Sequence, residues 1–324
     1  MGPTRTSFDW ASVEVAVPRP SGRLPGVSMA GFRQHAPAPV DIAMVAHPSV
    51  TVLIDLSEGE DLIYDMHGRH GRGSVVIGLL PGGLRAGGPV GECLQIRLEP
   101  GVAATVLGAS SELSGTAISL GDVWGRDAGR ASDRLRAAGS WDERFTLAEE
   151  ILRRRLGTRP PVDPEIAYTW RRMLNSRGRV RVDGLAGEVE WSRQRMSARF
   201  RSQLGITPKR AARLVRFDHA AHLLAAGHPA AHVATESGYV DQSHLHREVK
   251  EFAGLTPTAL AVAPWLAIDD AAWPASSPTR RPRQAADHAT GGPTEPPPVT
   301  SPGIRRRPPS CRDRPTSKDS AAKP

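Results

Sequence analysis

The alternation of apolar and polar residues changes period along the chain. From about residue 28 to 125, apolar residues come in short runs bounded by glycine or proline. "SVTVLIDLSEG" alternates and is rich in β-branched residues, and "SVVIGLLPGG" and "ECLQIRLEPG" are similar, so each predicts a strand. "HGRHGRGS" and "PGGLRAGGPVG" read as glycine-rich loops between strands. Short strands at this spacing predict a small β-barrel or sandwich of cupin-like type. A helical period follows. "ASDRLRAAG" is one helix, and "SWDERFTLAEEILRRRLG" is another, with Ser140 and Glu143 as a capping box and Phe145, Leu147, Ala148, Ile151, Leu152 and Leu156 on its apolar side. Pro160-Pro161 then break the chain. Beyond them the pattern is helical throughout, opening with Asp163-Pro164 as a cap and first-turn pair before "EIAYTWRRMLNSR".

The helical part contains an internal repeat. Gly205-Ile206-Thr207-Pro208 recurs as Gly254-Leu255-Thr256-Pro257, an offset of 49. At the same offset Phe200 matches Val249, Met196 matches Leu245, and Ser192 matches Asp241, both cap residues. Further back the offset is 48: Trp191 matches Tyr239, Ala186 matches Ala234, and Leu185 matches Val233, so Val240 is one residue inserted at the second turn. Each unit reads as a short helix, a tight turn with an aromatic residue, and a capped second helix. That is a duplicated helix-turn-helix.

Helical geometry sorts the faces of the two capped helices. Met196 and Phe200 define the inner side of the first, which puts Gln194, Ala198 and Arg201 nearly opposite, flanked by Arg195 and Ser197. In the second, Leu245 and Val249 face inward, while Ser243, Arg247 and Lys250 point out, flanked by His244 and His246, with Gln242 near the start. Arg and Gln can pair with base edges, and Lys, Ser and His can reach phosphates. A solvated helix face would also be polar; the duplication, which presents two such faces, favours recognition. Between the units, Thr207 and Pro208 open a helix that Gly227 ends, with Leu214, Phe217, Ala221 and Leu224 as its apolar stripe. At about 18 residues and 1.5 Å per residue it spans roughly 27 Å. Such a rod could hold two recognition helices about one DNA turn apart, on the order of 34 Å.

Charge changes the picture little. Of 324 residues, 39% are apolar and 23% charged, and the net charge is +8. Residues 1–160 carry 17 basic and 18 acidic groups, 161–270 carry 15 and 12, and 271–324 carry 10 and 4, so much of the excess lies in the tail. From about Asp269 the tail is rich in Pro, Ser, Thr, Gly and Arg and is expected to be disordered, although its Arg305-Arg306-Arg307 run could touch phosphates. No apolar run is long enough to span a membrane, the start lacks an apolar signal core, and Cys93 and Cys311 form no framework of bridges. A cytoplasmic setting is the expectation.

With those motifs in hand, residues from about 163 to 264 resemble the DNA-binding domain of the arabinose-regulator (AraC-type) transcription factors. The resemblance rests on "LAGEVEWSRQRMSARFRSQLGITPKR", "RLVRFDHAAHLL" and "HVATESGYVDQSHLHREVKEFAGLTP" and covers about a third of the chain. It implies that the two capped helices enter successive major grooves. By position it assigns base contacts to Gln194, Arg195, Ser197 and Ala198 in the first unit and to Gln242, Ser243, His246 and Arg247 in the second. Charge and position together nominate Arg199, Arg201, Arg213, Arg216 and Lys250 for phosphates. The first turn departs from the family pattern: Glu190 stands where glycine is usual, and a side chain at positive φ is disfavoured, so a distorted turn is expected. More loosely, "QIRLEPGVAATVLGASSELSG", "ISLGDVWG" and "LRAAGSWDERFTLAEEIL" resemble the sensor region of a subset of actinobacterial AraC-type regulators. The resemblance implies promoter binding, more often activating, controlled by a small effector or by dimerisation. Double-stranded DNA is the expected partner, with RNA polymerase, the effector and a second copy of the chain as further candidates.

The expected organisation is an α+β chain: a β-rich sensor over 1–160, a double helix-turn-helix over 161–268, and the tail over 269–324. The rival is a cupin-like metal enzyme with a DNA-binding appendage, for which His67 and His70 with Glu58, Glu60 and Asp65 are the conceivable ligands. His244 and His246, at i and i+2 on a helix, diverge too far to share an ion, and His219 and His222 have no third ligand nearby in sequence. No phosphate-cradling glycine motif and no nucleophile elbow occurs, and Cys93 reads as a strand residue of the core. A third reading makes the paired helices a protein-binding module. No cofactor is expected.

Overall fold

Strand β4 (Val50–Asp55) is buried along its whole length, which only a strand covered on both faces can be. In the computed structural model it lies inside a six-stranded antiparallel sheet with β1 (Val13–Ala16), β2 (Val27–Gln34), β9 (Glu92–Leu98), β7 (Val75–Ile77) and β10 (Ala117–Ser119), in the order β1-β2-β9-β4-β7-β10. A second antiparallel sheet runs β3 (Val40–Ala43), β8 (Arg85–Gly88), β5 (Ile63–Met66) and β6 (Arg69–Arg72). The structure describes residues 13–19, 24–34, 40–57, 63–66, 69–79, 84–88, 91–108, 110–263 and 272–273. All of them belong to the first of two compact units, Met1–Arg281 and Pro282–Pro324.

Alternation along β4 divides its side chains between two cores. Val50, Val52 and Ile54 join the main core with Leu94, Ile96 and Leu98 of β9. Leu53 points the other way, into a small core with Val75, Ile77, Tyr64 and Leu84 between the two sheets. The expected β-rich fold is thus a pair of sheets. Two stretches expected as loops are strands, β6 and β8, and glycine is the reason at β6. The Tyr64 ring lies directly over Gly71, where a Cβ would fall 2.1 Å from it, so only glycine lets the strand pass beneath.

Helices were also missed between residues 100 and 125. They are α1 (Pro100–Leu107), α2 (Ser110–Leu113) and α3 (Leu120–Trp124). Pro100 at the first position and left-handed Gly108 at the end bracket α1, and its brevity hid it among strand signals. Helix α4 (Arg126–Ala137) extends further toward the N-terminus than "ASDRLRAAG" suggested. In α5 (Trp141–Leu156) the Ser140 hydroxyl caps the Glu143 amide at 3.2 Å, and the Glu143 carboxylate accepts from Gly139 rather than from the cap residue.

The remaining elements are α6 (Pro164–Asn175), α7 (Val182–Glu188), α8 (Arg193–Leu204), α9 (Pro208–Ala225), α10 (Ala230–Glu236), α11 (Gln242–Ala253) and α12 (Pro257–Ala261). They share the main core with the six-stranded sheet and the helices that follow it. Helices α1 and α2 pack on α8. The Ala46 amide donates to the Phe252 carbonyl of α11 at 3.3 Å, and His47 faces Asp218 of α9 at 3.6 Å. The β-rich part therefore touches both repeated units. Most of the stretch expected to be disordered lies outside the described residues, as do Cys311 and Arg305-Arg306-Arg307. Its described residues, Ala272 and Trp273, are buried beside Ala30 of β2, with the Arg97 guanidinium 4.2 Å from the Trp273 ring. A large aromatic side chain with a sheet and a cation to pack on escapes the disorder its neighbours' composition suggests.

Candidate nucleic-acid interface

The two halves of the helical region repeat the same caps and the same main turn bonds. Ser192 caps the Arg195 amide of α8 at 3.1 Å, and Asp241 caps the His244 amide of α11 at 2.7 Å. Gly205 and Gly254 end these helices at φ 75° and 69°. Thr207 and Thr256 then cap α9 and α12, each followed by proline in the first turn. The turns ahead of α8 and α11 match as well. Trp191 donates to Ala186 at 2.9 Å and Tyr239 to Ala234 at 2.8 Å; Glu190 donates to Gly187 and Gly238 to Thr235, both at 3.1 Å. The distortion expected at Glu190 is absent. Its backbone adopts φ 54°, close to the Gly238 value of 74°, so the turn keeps its form and the glutamate carries the strain.

Helix α8 presents Gln194, Arg195, Ala198 and Arg201 to solvent with the β-rich part in place, and Ser197 is half-buried. The Arg195 guanidinium lies 4.6 Å from the Trp191 ring, which steers a long side chain at little entropic cost. Arg199 is placed differently. It makes two bonds to the Asp163 carboxylate, at 2.7 and 2.9 Å. Asp163, expected to cap α6 with its side chain, makes no such bond because its carboxylate is committed to Arg199.

Helix α11 exposes Gln242, Ser243, His246, Arg247 and Lys250. Gln242 reaches His246 at 3.3 Å one turn on, and Arg247 donates to the Ser243 carbonyl at 3.3 Å. His244 turns back toward the protein, edge-on to Tyr239 and 3.4 Å from the Glu248 carboxylate. So His244 and His246 diverge, as their spacing required.

Sequence reasoning missed Glu248. Its side chain is 1% exposed and is the hub between α11 and α9. Arg213 Nε donates to it at 3.3 Å and Arg216 Nη2 at 3.1 Å, and Arg213 also pairs with Glu251. The Arg216 guanidinium lies 4.8 Å from the Tyr239 ring. Desolvation first, and then the Glu248 charge, raises the Tyr239 phenol above its ordinary range. Arg213 and Arg216, nominated for phosphates, are thus bound to carboxylates that fasten the second unit to the rod. Glu188 ties the first unit in a related way. It accepts from Tyr168 at 2.7 Å and from Arg172 at 2.9 and 3.0 Å, and the bonds from Arg172 and then Tyr168 draw its carboxyl down to about 2.

Rod α9 spans 18 residues and buries Leu214, Phe217, Ala221 and Leu224 as expected, together with His219. His219 lies 3.4 Å from Arg177, and burial, reinforced by the Arg177 charge, depresses its imidazole to about 4. His222 turns to the Asp218 carbonyl at 2.8 Å, so these two histidines serve the packing of the rod. In the β-rich part, Asp65 and exposed His70 face each other across β5 and β6, while His67, Glu58 and Glu60 lie outside the described residues. Among the described residues no three His, Cys, Asp or Glu side chains gather closely enough to hold a metal ion. The Cys93 thiol on β9 is pushed up to about 12 by burial and by Asp55 and Glu92, which leaves it unreactive as a thiolate. No described helix is long and apolar enough to cross a membrane.

One family model matches the region of the two repeated units. The family described as "Helix-turn-helix domain" matches residues 185–261, from α7 to α12, and so spans both units. That stretch is a helix-turn-helix domain, the part of the chain suited to binding DNA. No curated protein matches the chain. Among solved structures, apo ToxT from Vibrio cholerae strain SCE256 is similar at 10% identity and a TM-score of 0.43, over 74% of this chain and 98% of that one. The C-terminal domain of AraT, a response regulator from Geobacillus stearothermophilus, matches at 20% identity and a TM-score of 0.29, over 31% and 85%. The AraC-like transcriptional activator CuxR matches at 13% identity and a TM-score of 0.24, over 62% and 84%.

Proposed function

We propose that the chain is an AraC-type transcription regulator that binds specific sequences by laying α8 and α11 in adjacent major grooves of one duplex. The observation that carries this reading is the repeat itself: two capped helices in the same local geometry, each with a polar outer face, joined by one 18-residue rod. Gln194, Arg195, Ser197 and Ala198 would meet base edges from α8, and Gln242, Ser243, His246 and Arg247 from α11. Arg201 and Lys250, both exposed, are the cations we assign to phosphates. Arg199, Arg213 and Arg216 are held in ion pairs inside the domain, and we assign them first to positioning the helices.

Control would come from the β-rich part. Its contacts to both units support this, through α1 and α2 on α8 and through Ala46 and His47 on α11 and α9. A small effector or a second copy of the chain would act by changing those contacts, and RNA polymerase would be met at the promoter, in the cytoplasm. Selection of bound duplexes from a randomised pool tests the proposal. It should return one motif with two informative segments about 10 base pairs apart. A pool without enrichment at any position would refute it.

A further inference from the structure

Val240 has no counterpart in the first unit: it is the one residue added between the turn and the cap of the second helix. The first turn closes with the same hydrogen bonds without it, so the fold does not require it. A valine just before a cap ordinarily packs on the fifth residue beyond it, here Leu245, as a hydrophobic staple. That packing is not made. Leu245 is fully buried and Val240 is 87% exposed, more than any other large apolar side chain described. It stands beside the N-terminus of α11, where recognition helices meet base edges. It also lines, with Arg213, Asp241, His244, Arg247, Glu248 and Glu251, an open cleft of 410 Å³ beside α11.

We propose that Val240 is a specificity-determining residue that reads the 5-methyl group of a thymine at the edge of the segment contacted by α11. The inference rests on the DNA-reading function proposed above. An aliphatic side chain has no donor or acceptor for a base, and the thymine methyl is the apolar feature of the major groove. Such a contact removes the isopropyl group from water only when the chain is bound to a site with thymine at that position. The insertion would give the second helix one more base contact than the first.

The test uses the full chain and its selected duplex, with each thymine replaced singly by uracil, which lacks only the methyl. The unaltered chain should lose affinity about three- to fivefold at one such position, the effect of burying one methyl group. Val240→Ser, which alters an exposed side chain, should bind the thymine and uracil duplexes equally at that position. Uracil tolerated at every position, or the same loss retained by Val240→Ser, overturns the inference while leaving the general function intact. A pool that yields no motif overturns both.

Discussion

Replacing Glu248 by alanine removes the carboxylate that lies between two guanidinium groups. In the intact chain it is 1% exposed and accepts from Arg213 and Arg216, whose side chains are 30% and 17% exposed. Breaking a buried ion pair from one side costs about 3–5 kcal/mol, because the surviving charge stays desolvated. Arg213 keeps Glu251, and both arginines retain some water, so the lower end, about 3 kcal/mol, is expected. Urea unfolding at fixed ionic strength measures it. With a slope of about 2–3 kcal/mol/M, the midpoint should fall by about 1–1.5 M. Arg216→Ala completes the argument. It should cost about 2 kcal/mol of stability and leave the salt dependence of DNA binding unchanged. A Glu248→Ala loss below about 1 kcal/mol would refute the hub. So would an Arg216→Ala variant of normal stability whose salt slope drops by about one, since that is the signature of a phosphate contact.

Glu190→Gly relieves a left-handed backbone that costs about 1–2 kcal/mol and gives back part of it as unfolded-chain entropy; a net gain of about 0.5–1 kcal/mol in the unfolding midpoint is expected, and a loss would contradict the strain. His219 is held neutral, with its folded value near 4 below the ordinary 6.5, so the unfolded chain takes up the proton first as pH falls. Its contribution to stability is complete above about pH 6.5 and is lost between 6.5 and 4, by up to about 3 kcal/mol. His219→Gln should flatten that window in denaturant midpoints taken from pH 7 to 4.5, and an equal decline in both proteins would disprove it. Arg247→Ala should relax preference at one base pair by about 1–3 kcal/mol in a selection assay, and selection unchanged at all positions counts against the assignment. Lys250→Ala should weaken all sequences alike and lower the salt slope by about one; an unaltered slope rejects its phosphate role.

The helical half was legible because its signals are local. Caps at Ser192, Asp241, Thr207 and Thr256 and glycines at 205 and 254 fix helix ends through bonds within one turn, and the repeat checks each signal against its copy. The β-rich half was less so. Strand β6 depends on the Tyr64 ring covering Gly71, a cross-strand fact invisible to a scan for glycine loops. Three of the cations nominated for phosphates, Arg199, Arg213 and Arg216, have carboxylate partners that sequence does not show. A signal was nonetheless available. Glu248 falls at helical spacing with Leu245, Val249 and Phe252, and a charge on an apolar stripe calls for a buried counterion. Arg199 holds the equivalent place in the first helix, between Met196 and Phe200, and its partner is Asp163.

Guanine methylation interference on the selected duplex, with the full chain bound, tests the central claim most directly. Two clusters of interfering major-groove positions, about 10 base pairs apart on one face of the duplex, are the predicted result. A single cluster, or two clusters on opposite faces, would contradict a rod that presents both helices to one DNA molecule.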